Sequence, residues 1–126
     1  MKRIIINIIL LFVALLLLTS AGSFGILYAL IYLPFHYSKL SIVKYWGSVL
    51  YSVNVGIDSI GNVLLSTFLN NFAIIDKTIY PFGNVHHTVS HVLAVNHLQY
   101  NNTARFGKWL AQTLDHIDKN HMNKSL

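Results

Sequence analysis

Between Arg3 and His36 the chain carries no charged residue, and Ile4 to Phe35 reads IIINIILLFVALLLLTSAGSFGILYALIYLPF. About 20 mainly apolar residues suffice for a helix to cross ~30 Å of hydrocarbon, so the run predicts a transmembrane helix. Ile4, Leu10, Phe12, Leu17, Ile26 and Leu30 are its expected lipid-facing anchor residues. Lys2 and Arg3 flank one end, and Tyr28, Tyr32, Phe35 and Tyr37 crowd the other as an interfacial aromatic belt would. Pro34 disfavours an unbroken continuation of the same helix. A basic start, an apolar core and the small patch Thr19-Ser20-Ala21-Gly22 outline a cleavable signal peptide. The apolar stretch continues past that patch, which favours an uncleaved signal-anchor. A helical hairpin turning at Ser20 to Ser23 is the third arrangement, with arms short for a full crossing. Lys2 and Arg3 on one flank balance Lys39 and Lys44 on the other, and the closer pair favours a cytoplasmic amino terminus.

The second long pattern runs from Ser41 to Asn71. Trp46, Leu50, Val53, Ile57, Ile60 and Leu64 recur at alternating spacings of four and three, which makes one apolar stripe on a helix. Tyr51, Asp58 and Asn62 lie off the stripe, with Ser48, Ser52, Ser59 and Ser66. Asp58 near the middle would cost about 2.5–3.5 kcal/mol in a membrane span, so the segment reads as an amphipathic helix outside the bilayer. Its stripe is expected to meet the chain's first helix, a second copy of the chain, or the membrane interface in-plane. Gly47, Gly56 and Gly61 weaken it as an isolated helix and allow close backbone approach.

Asn70-Asn71 ends that helix, and Asp76 to Asn84 reads as a loop punctuated by Pro81 and Gly83. Asn84 is the expected N-cap of a short helix from Val85 to about Val95. Asn102 or Thr103 is the expected cap of a last helix through Ile117, with Phe106, Trp109, Leu110, Leu114 and Ile117 as its stripe. Lys119 to Leu126 reads as a frayed basic tail. The fold class is therefore all-α: an N-terminal transmembrane helix (1–38), a long amphipathic membrane-proximal helix (39–75) and a small C-terminal module of two short helices (76–126).

Composition agrees with a membrane-associated chain. Of 126 residues, 54% are hydrophobic and 10% charged, against about 25% charged in an ordinary soluble domain. There is no cysteine, which excludes disulfides, thiolate metal sites and cysteine nucleophiles. The net charge of +5 is spread singly along the chain, which suits anionic lipid headgroups. No basic cluster is interleaved with aromatics, so no nucleic acid is expected as a partner.

Gly83-Asn84-Val85-His86-His87-Thr88-Val89-Ser90-His91-Val92-Leu93, Asn96, Gly107-Lys108-Trp109-Leu110, Leu114-Asp115, Ile117 to His121 and Lys124-Ser125 form a sequence of short motifs. Together they resemble a family of small membrane-associated proteins encoded by tailed bacteriophages. That family's carboxyl-terminal module reads approximately G-N-P-D-E-T-I-S-S-V-L-G-x-N, then a Trp-containing helix, then D-x-N-H-C. Tyr45-Trp46-Gly47-Ser48-Val49-Leu50 and Ile57-Asp58 are similar to the preceding segment of members from phages of Bacteroidetes hosts. The resemblance covers residues 41–125 and implies a phage origin without implying a mechanism, since the family has no established activity. His86-His87 replace the family's Asp-Glu, and Val85 replaces its Pro. With Asn84 as N-cap, His87 falls at N3, where the family's Glu would complete a capping box. His121-Met122 replace the family's His-Cys, so chemistry resting on that Cys does not carry over.

Histidine is the enriched reactive residue: seven in all, six of them after residue 85. His87 and His91 share a helical face at zinc-binding spacing, and His86, His97, His116, Asp118 and His121 could add ligands. The competing expectation is that these are ordinary polar residues on helix surfaces. The pair lacks the Glu of the metalloprotease motif, and the chain has no Glu at all. Ser90 beside His91 has no elbow or oxyanion motif, and no phosphate loop or dinucleotide fingerprint is present. No cofactor is expected. The favoured function is a non-enzymatic, single-pass protein of the bacterial host inner membrane. Such a protein presents an interaction module to a protein partner, or self-associates through residues 46–64. A holin-like membrane-permeabilising protein is the alternative, and a His-based metal module follows it.

Overall fold

The computed structural model describes residues 2–126, of which Lys2 by its backbone alone. The described chain is helical, with six α-helices in order: α1 (Lys2–His36), α2 (Lys39–Leu64), α3 (Ser66–Phe72), α4 (Val89–Ala94), α5 (Arg105–Ile117) and α6 (His121–Lys124). It divides into two compact units, Met1–Ser48 and Val49–Leu126.

In the first unit α1 is one continuous helix, with no turn at Ser20 to Ser23. Hydroxyls in its apolar middle are satisfied locally. Thr19 Oγ1 donates to the carbonyls of Leu15 and Leu16, Ser20 Oγ to Leu16, and Ser23 Oγ to Thr19. Such back-bonding lets a hydroxyl sit in a helix that has no water to turn to. Pro34 does not break the helix, which ends two residues later at His36. The ring removes one ladder bond, the one to the carbonyl of Leu30. Three rings stack along one edge near the end of α1: Tyr28 on Tyr32 at 5.3 Å and Tyr32 on His36 at 3.9 Å between ring centres. The apolar side chains are exposed, Ile4 at 64% and Phe12 at 68% among them. Arg3–His36 is long and apolar enough to cross a membrane, with a mean hydropathy of 2.8 over 18 residues. Among the described residues, α2 and α3 pass that test only when taken together across a 74° bend.

That bend corrects the single helix expected from Ser41 to Asn71. The chain breaks at Leu65, where Ser66 Oγ bonds back to the carbonyl of Val63 at 2.8 Å. The turn points Leu69 and Ala73 into the core of the second unit. Ile74, Phe82, Val92, Leu93, Ala94, Ala111 and Met122 complete that core, with Tyr80, Val89, Phe106, Leu110 and Leu114 packed around it.

Between α3 and α4 the chain has no regular element beyond one antiparallel bridge, Ile74 with Thr103. Four asparagine amides replace the missing backbone ladder. Asn70 takes both the N–H and the carbonyl of Phe82 (2.8 and 3.1 Å). Asn102 does the same for Asp76, at 2.8 Å each way. Buried Asn62 accepts from Gly83 N–H and donates to the carbonyls of Asn84 and His87. Buried Asn96 donates to Tyr80 and Val92 carbonyls. An amide offers the same donor and acceptor as a peptide group, so a loop with no strand partner keeps its polar groups paired. Among the described residues no buried side-chain nitrogen or oxygen lacks a partner.

Three further expectations are corrected. The helix expected from Val85 starts at Val89, because Thr88, in extended conformation, is its N-cap and its side chain accepts from His91 N–H. Asn84 instead closes a tight turn, accepting from His86 and His87 N–H, and His87 is not at a capping-box position. The last long helix ends at Ile117 as expected, but Asn102 and Thr103 do not cap it. Both side chains are committed elsewhere, Asn102 to Asp76 and Asn96, and Thr103 Oγ1 to His97 Nδ1 at 3.0 Å. The tail is not frayed: Asn120 adopts a left-handed conformation (φ 62°), α6 follows, and Met122 is fully buried.

Gly107 explains how α5 lies against α3. A Cβ there would stand 2.1 Å from the carbonyl oxygen of Ala73. Only glycine permits that approach, which brings Ala73 O to the N–H of Ala104 at 2.9 Å.

Candidate functional site

The off-stripe face of α2 is the one that meets the C-terminal helices. Asp58 reaches the first turn of α4, where a helix has backbone N–H groups without partners of its own. Its Oδ1 accepts from Val89 N–H at 3.1 Å. Its Oδ2 accepts from Ser90 N–H at 3.3 Å and from Ser90 Oγ–H at 2.6 Å. Thr88 Oγ1 takes the next N–H, that of His91, at 3.0 Å. A carboxylate is well placed there by charge as well as by hydrogen bonding.

The network continues into α6. His121 Nε2 lies 3.3 Å from Ser90 Oγ, and His121 Nδ1 lies 3.2 Å from Asp118 Oδ2. Lys124 Nζ binds the other oxygen of Asp118. The Lys124 ammonium, with the His121 ring, holds the exposed Asp118 carboxyl below the ordinary carboxylate range. Asp58, Ser90, Asp118, His121 and Lys124 line one cleft of about 330 Å³ together with Tyr51, Val55, Thr88 and Ser125.

Ser90, His121 and Asp118 thus have the connectivity of a nucleophile, a base and an orienting carboxylate. Their hydrogen bonds run the other way. The Ser90 proton is directed at Asp58, so Ser90 Oγ has no proton to give to His121 Nε2. The N–H groups of Val89 and Ser90, which could have stabilised an oxyanion, are occupied by the same carboxylate. As arranged, the cluster is a clamp that ties α2, the start of α4 and α6 together.

The His87/His91 pair is brought together, with ring centres 5.0 Å apart. Tyr80 stands between them, its hydroxyl 3.2 Å from His87 Nδ1 and 3.2 Å from His91 Nε2. His91 Nδ1 lies 2.7 Å from the carbonyl of Ser125, which can only accept. Nδ1 of His91 therefore carries a proton and donates to Ser125. The nitrogens that face each other are engaged with a phenol. His86 and His116 are exposed, while His97 binds Thr103. Among the described residues no group of three or more His, Asp or Glu is placed to hold a metal ion.

The anchor residues Ile4, Leu10, Phe12, Leu17, Ile26 and Leu30 are all exposed on α1. Of the stripe, Trp46 is half-buried, whereas Leu50, Val53, Ile57, Ile60 and Leu64 are exposed by 51% to 76%. A second exposed surface is aromatic. Phe68, Phe72, Phe106 and Trp109 form a chain of ring contacts of 4.9 to 5.6 Å. Phe72, Phe106 and Trp109 line an open depression of about 610 Å³ beside Arg105. Ser90's link to His121 and Asp58's link to α4 had no signal in sequence spacing, because 31 or 32 residues separate the partners.

Comparison of the chain with protein-family models, with curated proteins and with solved structures finds no match.

Proposed function

We propose that the chain is a non-enzymatic, membrane-anchored protein of bacteriophage origin. In this reading α1 spans the host inner membrane once and the helical unit from Val49 onward is presented at its surface as an interaction module. The observation that carries the reading is the division of labour on α2. Its polar face is consumed internally by Asp58 and Asn62, while its apolar face from Leu50 to Leu64 is left outward. A helix whose apolar face is bare and whose polar face is buried has its orientation set for something outside its own unit. The motifs between Tyr45 and Ser125 support the phage origin.

The bent pair α2–α3 favours a second reading, a holin-like protein in which those helices enter the bilayer. It would require Asp58 and Asn62 to leave their backbone partners for hydrocarbon. That costs several kcal/mol per unsatisfied group, and the anchored reading avoids it.

Reporter fusions after Pro34, after Ile75 and at Leu126 test the proposal. One crossing, with the Ile75 and Leu126 reporters on the same side, is expected. Opposite sides for those two reporters, or abrupt loss of membrane potential on induced expression, overturns it.

A further inference from the structure

The geometry points to a specific occupant for the bare face of α2: we infer that Leu50, Val53, Ile57, Ile60 and Leu64 form a coiled-coil seam that takes α2 of another copy of this chain. The spacing is three, four, three, four. That places Leu50, Ile57 and Leu64 at the a positions and Val53 and Ile60 at the d positions of consecutive heptads. The positions beside the seam are Asn54 and Gly61 on one side and Val49, Gly56 and Val63 on the other. Gly61 faces Val89, whereas a Cβ at Gly56 would meet nothing within 4 Å. The flank is therefore low at Gly56, in the middle of the seam, where the backbone of a second helix can approach closely.

The membrane interface is a poorer occupant. Helices that lie in it carry Lys and Arg on the polar face, and no Lys or Arg occurs between Val49 and Leu64. The polar face is also already occupied, by Asp58 at α4 and by Asn62 at the loop. Size agrees with an assembly of copies. The five exposed side chains offer on the order of 500 Å² per copy, and a pair would bury about 1,000 Å², where specific interfaces begin. Copies held in one membrane plane also meet at a raised effective concentration. This last point rests on the anchored reading; the heptad, the flank and the area do not.

The chain has no cysteine, so single substitutions report cleanly. Full-length Ile57→Cys, at an a position, meets its counterpart when the two helices run parallel, and a Val53→Cys/Ile57→Cys chain supplies the a-to-d contact when they run antiparallel. Ser52→Cys, off the seam, is the control. In vesicles of phosphatidylethanolamine and phosphatidylglycerol, oxidation is expected to link at least one of these two seam chains into pairs at least tenfold faster than Ser52→Cys. A Val53→Asp/Ile57→Cys chain is expected to show no such difference. Val53 and Ile57 are exposed in the unit, so thermal unfolding of the dilute, unassociated chain in micelles should be unchanged by either substitution. Rates equal to that of Ser52→Cys in both seam chains overturn the inference. So does quenching of a fluorophore on Ile57→Cys by spin-labelled lipid without cross-linking of either seam chain. Flotation of the same vesicles reads the anchor separately. Flotation without linking of either seam chain overturns the seam alone, and linking without flotation overturns the anchor alone.

Discussion

The hydroxyl of Ser90 donates to the carboxylate of Asp58 at 2.6 Å across 32 residues of sequence. Through this contact and its two backbone companions, one acidic residue in α2 serves as the cap of α4. Asp58→Ala removes three hydrogen bonds to a charged acceptor and uncaps the helix. The expected loss is about 2–4 kcal/mol, read as a lowered unfolding midpoint of the second unit in micelles. Asp58→Asn keeps one acceptor and should fall between the two. Parent-like unfolding of Asp58→Ala would show that the contact contributes nothing.

Asn62 is completely buried and serves three backbone groups of the loop at residues 83–87. Asn62→Leu matches its size but strands one N–H and two carbonyls. Each unsatisfied buried group costs about 1–3 kcal/mol, so this single change should destabilise the unit by more than Asp58→Ala. Hydrogen exchange at Gly83 is the local readout and is expected to accelerate in step with the global loss.

Gly107→Ala is expected to be as damaging as a large core truncation, at roughly 3 kcal/mol or more. The obstacle is the backbone carbonyl of Ala73, which cannot swing aside as a side chain can. Gly47→Ala makes the contrast. Its Cβ meets nothing within 4 Å, so helix propensity should raise stability by about 0.5–1 kcal/mol. Comparable effects of the two substitutions in thermal unfolding would contradict the packing of α5 on α3.

Acid should release α6 before it unfolds the rest. The Asp118 carboxyl, held low by Lys124 and His121, ionises more readily folded than unfolded. Its contribution is complete above the ordinary Asp value of about 4 and is lost as pH falls through the lower folded value. Amide exchange at Met122 is expected to rise over that acid range. Asp118→Asn should remove the pH dependence while leaving α6 weakened at every pH. A Met122 acid profile identical in the parent and the variant would rule out this linkage.

Much of the helical layout can be read from local pattern. The apolar run from Ile4 to Phe35 exceeds any bilayer span, and α1 is unbroken over it. The stripe from Leu50 to Leu64 is a matter of spacing, and the end of α5 at Ile117 follows from the last apolar position. The pattern failed where a residue's partner lies far along the chain. Asn84 has the chemistry of an N-cap and sits before an apolar stretch, yet Asn62 draws residues 83–87 into a turn, and Thr88 caps the helix four residues later. Met122 in a basic tail gave no sign of its burial, because one apolar residue among polar ones has no periodicity.

Sequence alone determined what each stretch would have to hide from water: the whole circumference of α1, one face of α2, and one side of α5. Those are properties of hydrophobic spacing, which is local. Tertiary structure alone decided where the polar residues go. Asp58 reads in sequence as a reason to keep α2 out of a membrane, and in the fold it is the cap of another helix. Asn62 reads in sequence as an off-stripe helix position, Asn70 as a helix end and Asn102 as a cap, and in the fold these three and Asn96 stand in for a strand. Hydrogen bonds are short-ranged and directional, so a polar side chain's role is set by whichever backbone group arrives within 3 Å of it, and that depends on how the elements pack.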